Sequence, residues 1–200
     1  MGTIKQGILG GFSGRVGTVV GSTWKSVHYM RALAVSVNNP NTEKQQSQRN
    51  KFSTALNFLK TMTPFVRIGY KNYTKDQSAF NAAMSYILKN ATTGDGANAA
   101  IDYNKALVAR GSLATAVNAT VTVESGKASY TWTDNSGAGD ARATDSAMLL
   151  AYNKNKKEAV YKVDSATRSE TKAELALPTN WSDDALAVYL SFYSTDSRNV

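Results

Sequence analysis

Apolar and polar positions change period twice along the 200-residue chain. Near the start, Thr18-Val19-Val20-Gly21-Ser22-Thr23-Trp24 and Val27-His28-Tyr29-Met30-Arg31-Ala32-Leu33 are rich in β-branched and aromatic residues, the composition of extended strands. Half of the fourteen glycines lie in the same region, at Gly2, Gly7, Gly10, Gly11, Gly14, Gly17 and Gly21. Residues 1–37 therefore read as a glycine-rich arm or hairpin that becomes ordered by packing against something else. The second stretch, about 40–92, is helical. Asn39-Pro40-Asn41 makes a turn, and Thr42-x-x-Gln45 fits a capping box. Phe52, Leu56 and Leu59 then place one apolar stripe on a helix over about 42–61. Its first two turns, Glu43 to Arg49, are wholly polar, so that end projects from the core or meets a partner. Thr63-Pro64 opens a second, short helix with Pro at its first position. A third, over about 76–90, carries Phe80, Ala83, Met84, Ile87 and Leu88 on one face.

Beyond residue 100 the period returns to two. Seven runs read as strands: 107–110, 121–123, 129–133, 148–152, 159–163, 173–177 and 186–192. Turns such as Asp134-Asn135-Ser136-Gly137 and Asn153-Lys154-Asn155-Lys156 separate them. About seven short strands in a hundred residues indicate an antiparallel β-sandwich, and Trp132 is its candidate core aromatic. Without cysteine, it resembles the fibronectin-III-like or other Ig-like variety. Ser194-Thr195-Asp196-Ser197 reads as a hairpin turn, and Val200 comes before a full last strand. The sandwich then either begins with an additional strand from before residue 107 or keeps an open edge for strand addition. The expected fold class is α+β, with a basic arm plus three-helix module over 1–98 and the β-sandwich over 99–200.

Charge sharpens that division. The net charge is +8, from 23 basic and 15 acidic residues. Residues 1–100 hold 12 Lys and Arg against only Glu43, Asp76 and Asp95. A basic module facing phosphate or an acidic partner is the implied reading. There is no cysteine and one histidine, His28, which excludes thiolate chemistry and leaves little for a Ser/His/Asp triad. No apolar h-region opens the chain and no run approaches 18 apolar residues, so neither a signal peptide nor a membrane span is expected.

Other chemistries fare poorly. Gly7-x-x-Gly10-Gly11-x-x-Gly14-x-x-Gly17 lacks the Lys of a phosphate loop and the spacing of a dinucleotide fingerprint, so these glycines read as structural. His28 has no carboxylate within 14 residues to orient it as a base. Asp134 to Asp140 comes near calcium-loop spacing but lacks the Glu that closes such a loop. No catalytic, cofactor or metal residue is assigned. Basic side chains interleaved with Phe12, Trp24, Tyr29, Tyr70 and Tyr73 keep nucleic acid open as a partner.

The segment from Lys5-Gln6-Gly7-Ile8-Leu9-Gly10-Gly11-Phe12 through Trp24-Lys25 resembles the opening of an uncharacterised protein family from Bacteroidetes, a domain of unknown function. The likeness runs on through Asn39-Pro40-Asn41-Thr42-x-x-Gln45-Gln46-x-x-Arg49-x-Lys51-Phe52, Asn72-Tyr73, Phe80 to Tyr86, and Trp132-x-Asp134-Asn135-Ser136-Gly137. That family carries no activity to transfer. The Asn-Pro-x-Thr-x-x-Gln-Gln-x-x-Arg segment is also similar to a short pattern in phage virion proteins. The missing cysteines and single histidine, an arm that orders on contact and an Ig-like display domain, together with that likeness, lead to the expectation of a non-enzymatic structural protein, a phage or prophage virion component in capsid decoration, head fibre or tail. It would dock through its N-terminal module and display its sandwich. Expected interface residues are Arg15, Trp24, Lys25, Arg31, Gln45, Gln46 and Arg49. Expected partners are other virion or assembly proteins and further copies of the chain, with no membrane. The expected location is the virion, with the cytoplasm as alternative, and nucleic-acid binding through the basic module is the alternative function.

Overall fold

A computed structural model describes every residue except 1, 5, 6, 8, 9, 25, 26, 37, 38, 76, 197 and 198. The chain is α+β and divides into two compact units, Met1–Thr42 and Glu43–Val200. The first is a four-stranded antiparallel sheet in chain order, β1 (Thr3–Ile4), β2 (Phe12–Val16), β3 (Val19–Trp24) and β4 (Val27–Ala32). Among the described residues of this unit, Gly21 alone is buried.

The second unit begins with α1 (Glu43–Lys60), α2 (Thr63–Gly69) and α3 (Ala79–Asn90). Pro64 occupies the first turn of α2, where its missing N–H costs nothing. The Ser78 hydroxyl caps α3 by accepting the Asn81 N–H at 3.2 Å. The buried positions of α1 are Ala55, Phe58 and Leu59, while Phe52 is half exposed. The stripe is thus turned from the expected Phe52-Leu56-Leu59 line, because Ala55, Phe58, Leu59 and Met62 meet α2, α3 and the sheet beneath. The short β5 (Thr92–Thr93) and β6 (Ala100–Ile101) pair with each other after α3.

Six longer strands follow: β7 (Val117–Glu124), β8 (Lys127–Thr133), β9 (Ser146–Asn153), β10 (Glu158–Lys162), β11 (Lys172–Ala176) and β12 (Leu186–Tyr193). They form two antiparallel sheets ordered β11-β8-β7 and β10-β9-β12. Strand β9 organises the unit. Ala147, Leu149 and Ala151 face Tyr130, Trp132, Leu175 and Phe192 in the core between the sheets. Met148, Leu150 and Tyr152 face Phe58, Phe65, Tyr70 and Ile87 in the core under the helices. The layers are therefore helices, sheet and sheet, with β9 buried on both sides and reading as one apolar run.

Two expectations change on that account. A boundary near residue 98 would separate the helices from the sheet that completes their core, and the division falls at 42/43 instead. Leu107 to Arg110 is not a strand. Val108 is buried in the helical core, and the Arg110 N–H donates to the Gly69 carbonyl at 2.8 Å, so this segment is held by α2 rather than by a sheet neighbour. The remaining six strand runs overlap β7 to β12. At the end of the described chain, the Leu113 N–H donates to the Val200 carbonyl at 3.0 Å and Val200 is buried.

Candidate docking surface

The pairing register of the N-terminal sheet sorts its side chains onto two faces, because directly opposed residues in antiparallel strands point the same way. Thr3 opposes Ser13, Arg15 opposes Val20, and Val20 opposes Arg31. Ser22 opposes Tyr29, and Trp24 opposes Val27. One face thus carries a row Arg15–Val20–Arg31 across three strands, with Tyr29, Trp24 and Val27 beside it. Trp24 is 66% exposed and Tyr29 is 45% exposed. The Arg15 guanidinium is steadied by a bond from Nε to the Gly17 carbonyl at 3.0 Å.

The opposite face holds Ile4, Phe12 and Val16, then Val19 and Thr23, then His28, Met30 and Ala32. Glycine is required at its centre. Gly21 opposes both Gly14 and Met30, and a Cβ there would collide with the Phe12 ring and carbonyl. The Phe12 ring can lie across the sheet only because Gly21 has no side chain. His28 bonds through Nδ1 to the Thr23 hydroxyl at 2.9 Å, and its ring occupies the space that a side chain at Gly11 would need.

The expected interface residues therefore separate. Arg15, Trp24 and Arg31 share one face of one sheet. Lys25 lies outside the described residues. Gln45, Gln46 and Arg49 are on the first turns of α1 in the second unit. Those polar turns have a use within the chain. The Ser47 hydroxyl accepts the Gly96 N–H at 3.0 Å, Asn50 Nδ2 donates to the Gly96 carbonyl at 3.2 Å, and Lys51 pairs with Asp95 at 2.6 Å. The Asp95 carboxyl is held below the usual carboxylate range, chiefly by the hydrogen bond from Lys51.

The densest polar arrangement lies elsewhere and was not anticipated. Arg168 is fully buried, with Nε 3.2 Å from Asp145 Oδ2. Its other nitrogens donate to Asn135 Oδ1 at 2.7 Å and to the Ala114 carbonyl at 3.0 Å. Its guanidinium lies 3.9 Å from the Phe192 ring centre. Its carbonyl accepts the Trp132 indole N–H at 2.7 Å. Asp145 Oδ2 also takes the Arg142 N–H at 2.8 Å. Arg168 and Asp145 together tie the loops around 114, 135, 142 and 168. The signal available in the sequence was Thr167-x-x-Glu170, a capping box that shapes the short turn around Arg168.

Asn153, also fully buried, does the same at the opposite end of β9. Its Oδ1 accepts the N–H groups of Asn155 and Lys156, each at 2.9 Å, and its Nδ2 donates to Asp184 at 2.7 Å. That bond, together with Lys156, holds the Asp184 carboxyl below the usual range. Both networks brace loops. Asp134 is likewise occupied, accepting the Ser136 N–H at 2.9 Å within its own turn. Among the described residues no three His, Cys, Asp or Glu side chains come together as a metal site. No described helix is long and apolar enough to cross a membrane.

A family model covers residues 11–200. The chain belongs to the family of unknown function DUF6266. The match takes in β2 to β4 along with the whole second unit, so three of the four strands of the two-faced sheet lie within what the family model describes. Neither curated proteins nor solved structures return a match to the chain.

Proposed function

We propose that this DUF6266 member is a non-enzymatic structural protein, a phage or prophage virion component. It docks through its N-terminal sheet and displays its two C-terminal sheets as an Ig-like sandwich. The observation that carries this reading is the Arg15–Val20–Arg31 row beside exposed Tyr29 and Trp24, on a sheet that buries no large side chain of its own. Tyr, Trp and Arg are the residue types that concentrate binding energy in protein interfaces. A sheet with no core gains most of its order from whatever covers it, in keeping with a glycine-rich arm that orders on contact. The virion assignment draws on the likeness of Asn39-Pro40-Asn41-Thr42-x-x-Gln45-Gln46-x-x-Arg49 to virion proteins. It is tested by neighbouring genes and by mass spectrometry of purified particles. Adjacent portal or tail genes and the chain in intact particles support it. A chain found only in host cytosol overturns the virion assignment.

Nucleic-acid binding is the second reading, because two arginines and two exposed rings on one flat face suit a phosphate backbone and stacked bases. Single-stranded DNA retained at low salt, and released by Arg15→Ala with Arg31→Ala, would establish it. Absence of retention at low salt removes it.

A further inference from the structure

Strand β12 lies at the edge of its sheet, with β9 on one side only. Antiparallel neighbours alternate between pairs that exchange backbone hydrogen bonds and pairs that do not. Ala147 donates its N–H to the Ala166 carbonyl at 2.8 Å and accepts the Ser165 N–H at 3.0 Å, both on the side of β9 away from β12. The alternate residues Met148 and Leu150 therefore bond to Ser191 and Tyr189, their register partners in β12. That leaves the N–H and carbonyl groups of Leu190 and Phe192 turned to the outer edge. Among the described residues, none takes those two N–H groups.

One step further along, the same edge is paired. The Ser194 N–H donates to the Asn199 carbonyl at 3.0 Å, so the chain folds back beside β12. Val200 takes the Leu113 N–H from the opposite side, and glycine is required at 111 because a Cβ there would collide with the Val200 carbonyl. Asn199 and Val200 thus lie between β12 and the 111–113 segment, which sets that gap at two strand spacings, roughly 10 Å. Along Tyr189 to Phe192 the gap continues as a cleft of about 270 Å³, walled on its far side by residues 106–111. Four residues of extended chain span about 13 Å, the reach from Tyr189 to Phe192. We propose that this cleft receives a β-strand donated by another polypeptide, running antiparallel to β12 in line with Asn199 and Val200. No described segment of the chain occupies the cleft, and its walls all belong to the second unit. Strand addition here goes beyond the docking reading and rests on a different unit, so either can fail without the other.

The walls define the donor. Tyr189 and Tyr193 pack with Val108 and Val200 in the core under the helices, whereas Leu190 and Phe192 pack with Leu113 in the core between the sheets. Successive side chains of an incoming strand alternate between those two cores. The donor therefore needs a continuous run of small apolar residues, as a strand buried on both faces does. Its backbone supplies the affinity by completing the ladder. Among the described residues of the walls, Arg110 is the one charged side chain, its guanidinium 4.7 Å from the Tyr73 ring centre. A carboxylate next to the apolar run complements it, and a lysine does not.

The test is amide exchange by NMR on the full 200-residue chain, alone and with the peptide acetyl-Ser-Val-Ala-Val-Val-Glu-amide. In the chain alone the Leu190 and Phe192 amides are expected to exchange freely, while Tyr189 and Ser191, bonded to β9, are protected. The peptide at about 1 mM, the weak end of specific binding, is expected to slow exchange at Leu190 and Phe192 by about tenfold or more. The same peptide N-methylated at the alternate amides that face β12 keeps its side chains, loses the ladder and is expected to give no protection. Lys in place of its Glu is expected to weaken binding by about threefold. Leu190 and Phe192 amides already protected in the chain alone would mean that the chain fills the cleft itself, and would overturn the proposal. So would a peptide that protects neither amide, or an N-methylated form that protects them equally. A Lys peptide as effective as the Glu peptide overturns the acidic donor.

Discussion

The N-terminal sheet and the β10-β9-β12 sheet are built from similar residues and reach opposite outcomes. Val, Thr, Tyr and Trp supply β3 and β4, and Ala, Leu, Met and Tyr supply β9. All six residues of β4 are exposed, whereas seven consecutive residues of β9 are buried. Strand propensity places a residue in an extended backbone; it does not supply the neighbour that removes the side chain from water. Strand β9 has a neighbour on each face, and its contacts are satisfied within the chain. The N-terminal sheet has none in its own unit, and within that unit its apolar and cationic side chains stay exposed.

The largest effect that would sharpen this contrast is expected at Arg168. Arg168→Ala leaves the Asp145 carboxylate buried without its cation. The cost is about 3–5 kcal/mol, which lowers the melting temperature of the second unit by about 10 °C. Arg168→Met combined with Asp145→Leu removes both charges and costs less than the single change, because no unpaired charge is left behind. Equal losses for the single and the double variant in calorimetry would refute the view that the pair works as a unit.

Next comes Gly69. A Cβ there would fall 2.7 Å from the Val108 carbonyl oxygen and 2.9 Å from Ala109. Gly69→Val forces the 107–110 segment away from α2 at a cost of about 1–3 kcal/mol, read in a denaturant titration.

Alkali gives a graded version of the same test. Burial pushes the Tyr152 hydroxyl up to about 12, with Tyr103 adding to the shift. Burial also raises the hydroxyls of Tyr70, Tyr130 and Tyr189. Phenols that stay protonated in the folded state stabilise it fully below the unfolded value of about 10. That contribution is lost as pH climbs from there toward about 12, because the unfolded chain has released protons that the folded one retains. Thermal midpoints of the second unit are expected to hold steady up to about pH 10 and to fall beyond it. A midpoint indifferent to pH across that window would show these tyrosines to be open to water.

The smallest expected effect is on the other side of the comparison. Gly21→Val removes the space that Phe12 occupies and disrupts the N-terminal sheet. Because Gly21 belongs to a separate unit, the unfolding free energy of the second unit is expected to change by less than about 0.5 kcal/mol. Amide exchange would show lost protection confined to 12–32. A large drop in the midpoint of residues 43–200 would instead join the two units energetically.

What could be read in advance followed locality. The three helices appeared near their observed positions because Pro64, the apolar face of α3 and the turn at Asn39-Pro40-Asn41 are all local signals. Six strand runs were visible for the same reason. Leu107 to Arg110 was misassigned because a short apolar run has no period that separates a strand from a coil pressed against a helix. Arg168 was missed because Ser165 to Thr171 is a polar stretch that looks like an exposed turn. Its burial depends on Asp145, Asn135, Ala114 and Phe192, none of them close in sequence. Arg15, Trp24 and Arg31 were singled out by residue type, but their common face needed the pairing register.

By itself the sequence determined the residue chemistry and the local backbone. It set an α+β composition, a basic and acid-free first 42 residues, no thiol, one histidine, and helices and strands wherever propensity and capping act over a few positions. The tertiary structure decided which of those elements share a core. It joined the helices to the sheet through β9, moved the division from 98 to 42, buried Arg168, and placed the arginines and the apolar side chains on opposite faces of one sheet. The physical reason is the range of the interactions. Backbone preference and capping are settled between near neighbours, whereas burial and strand register depend on surfaces that meet only after the chain has folded.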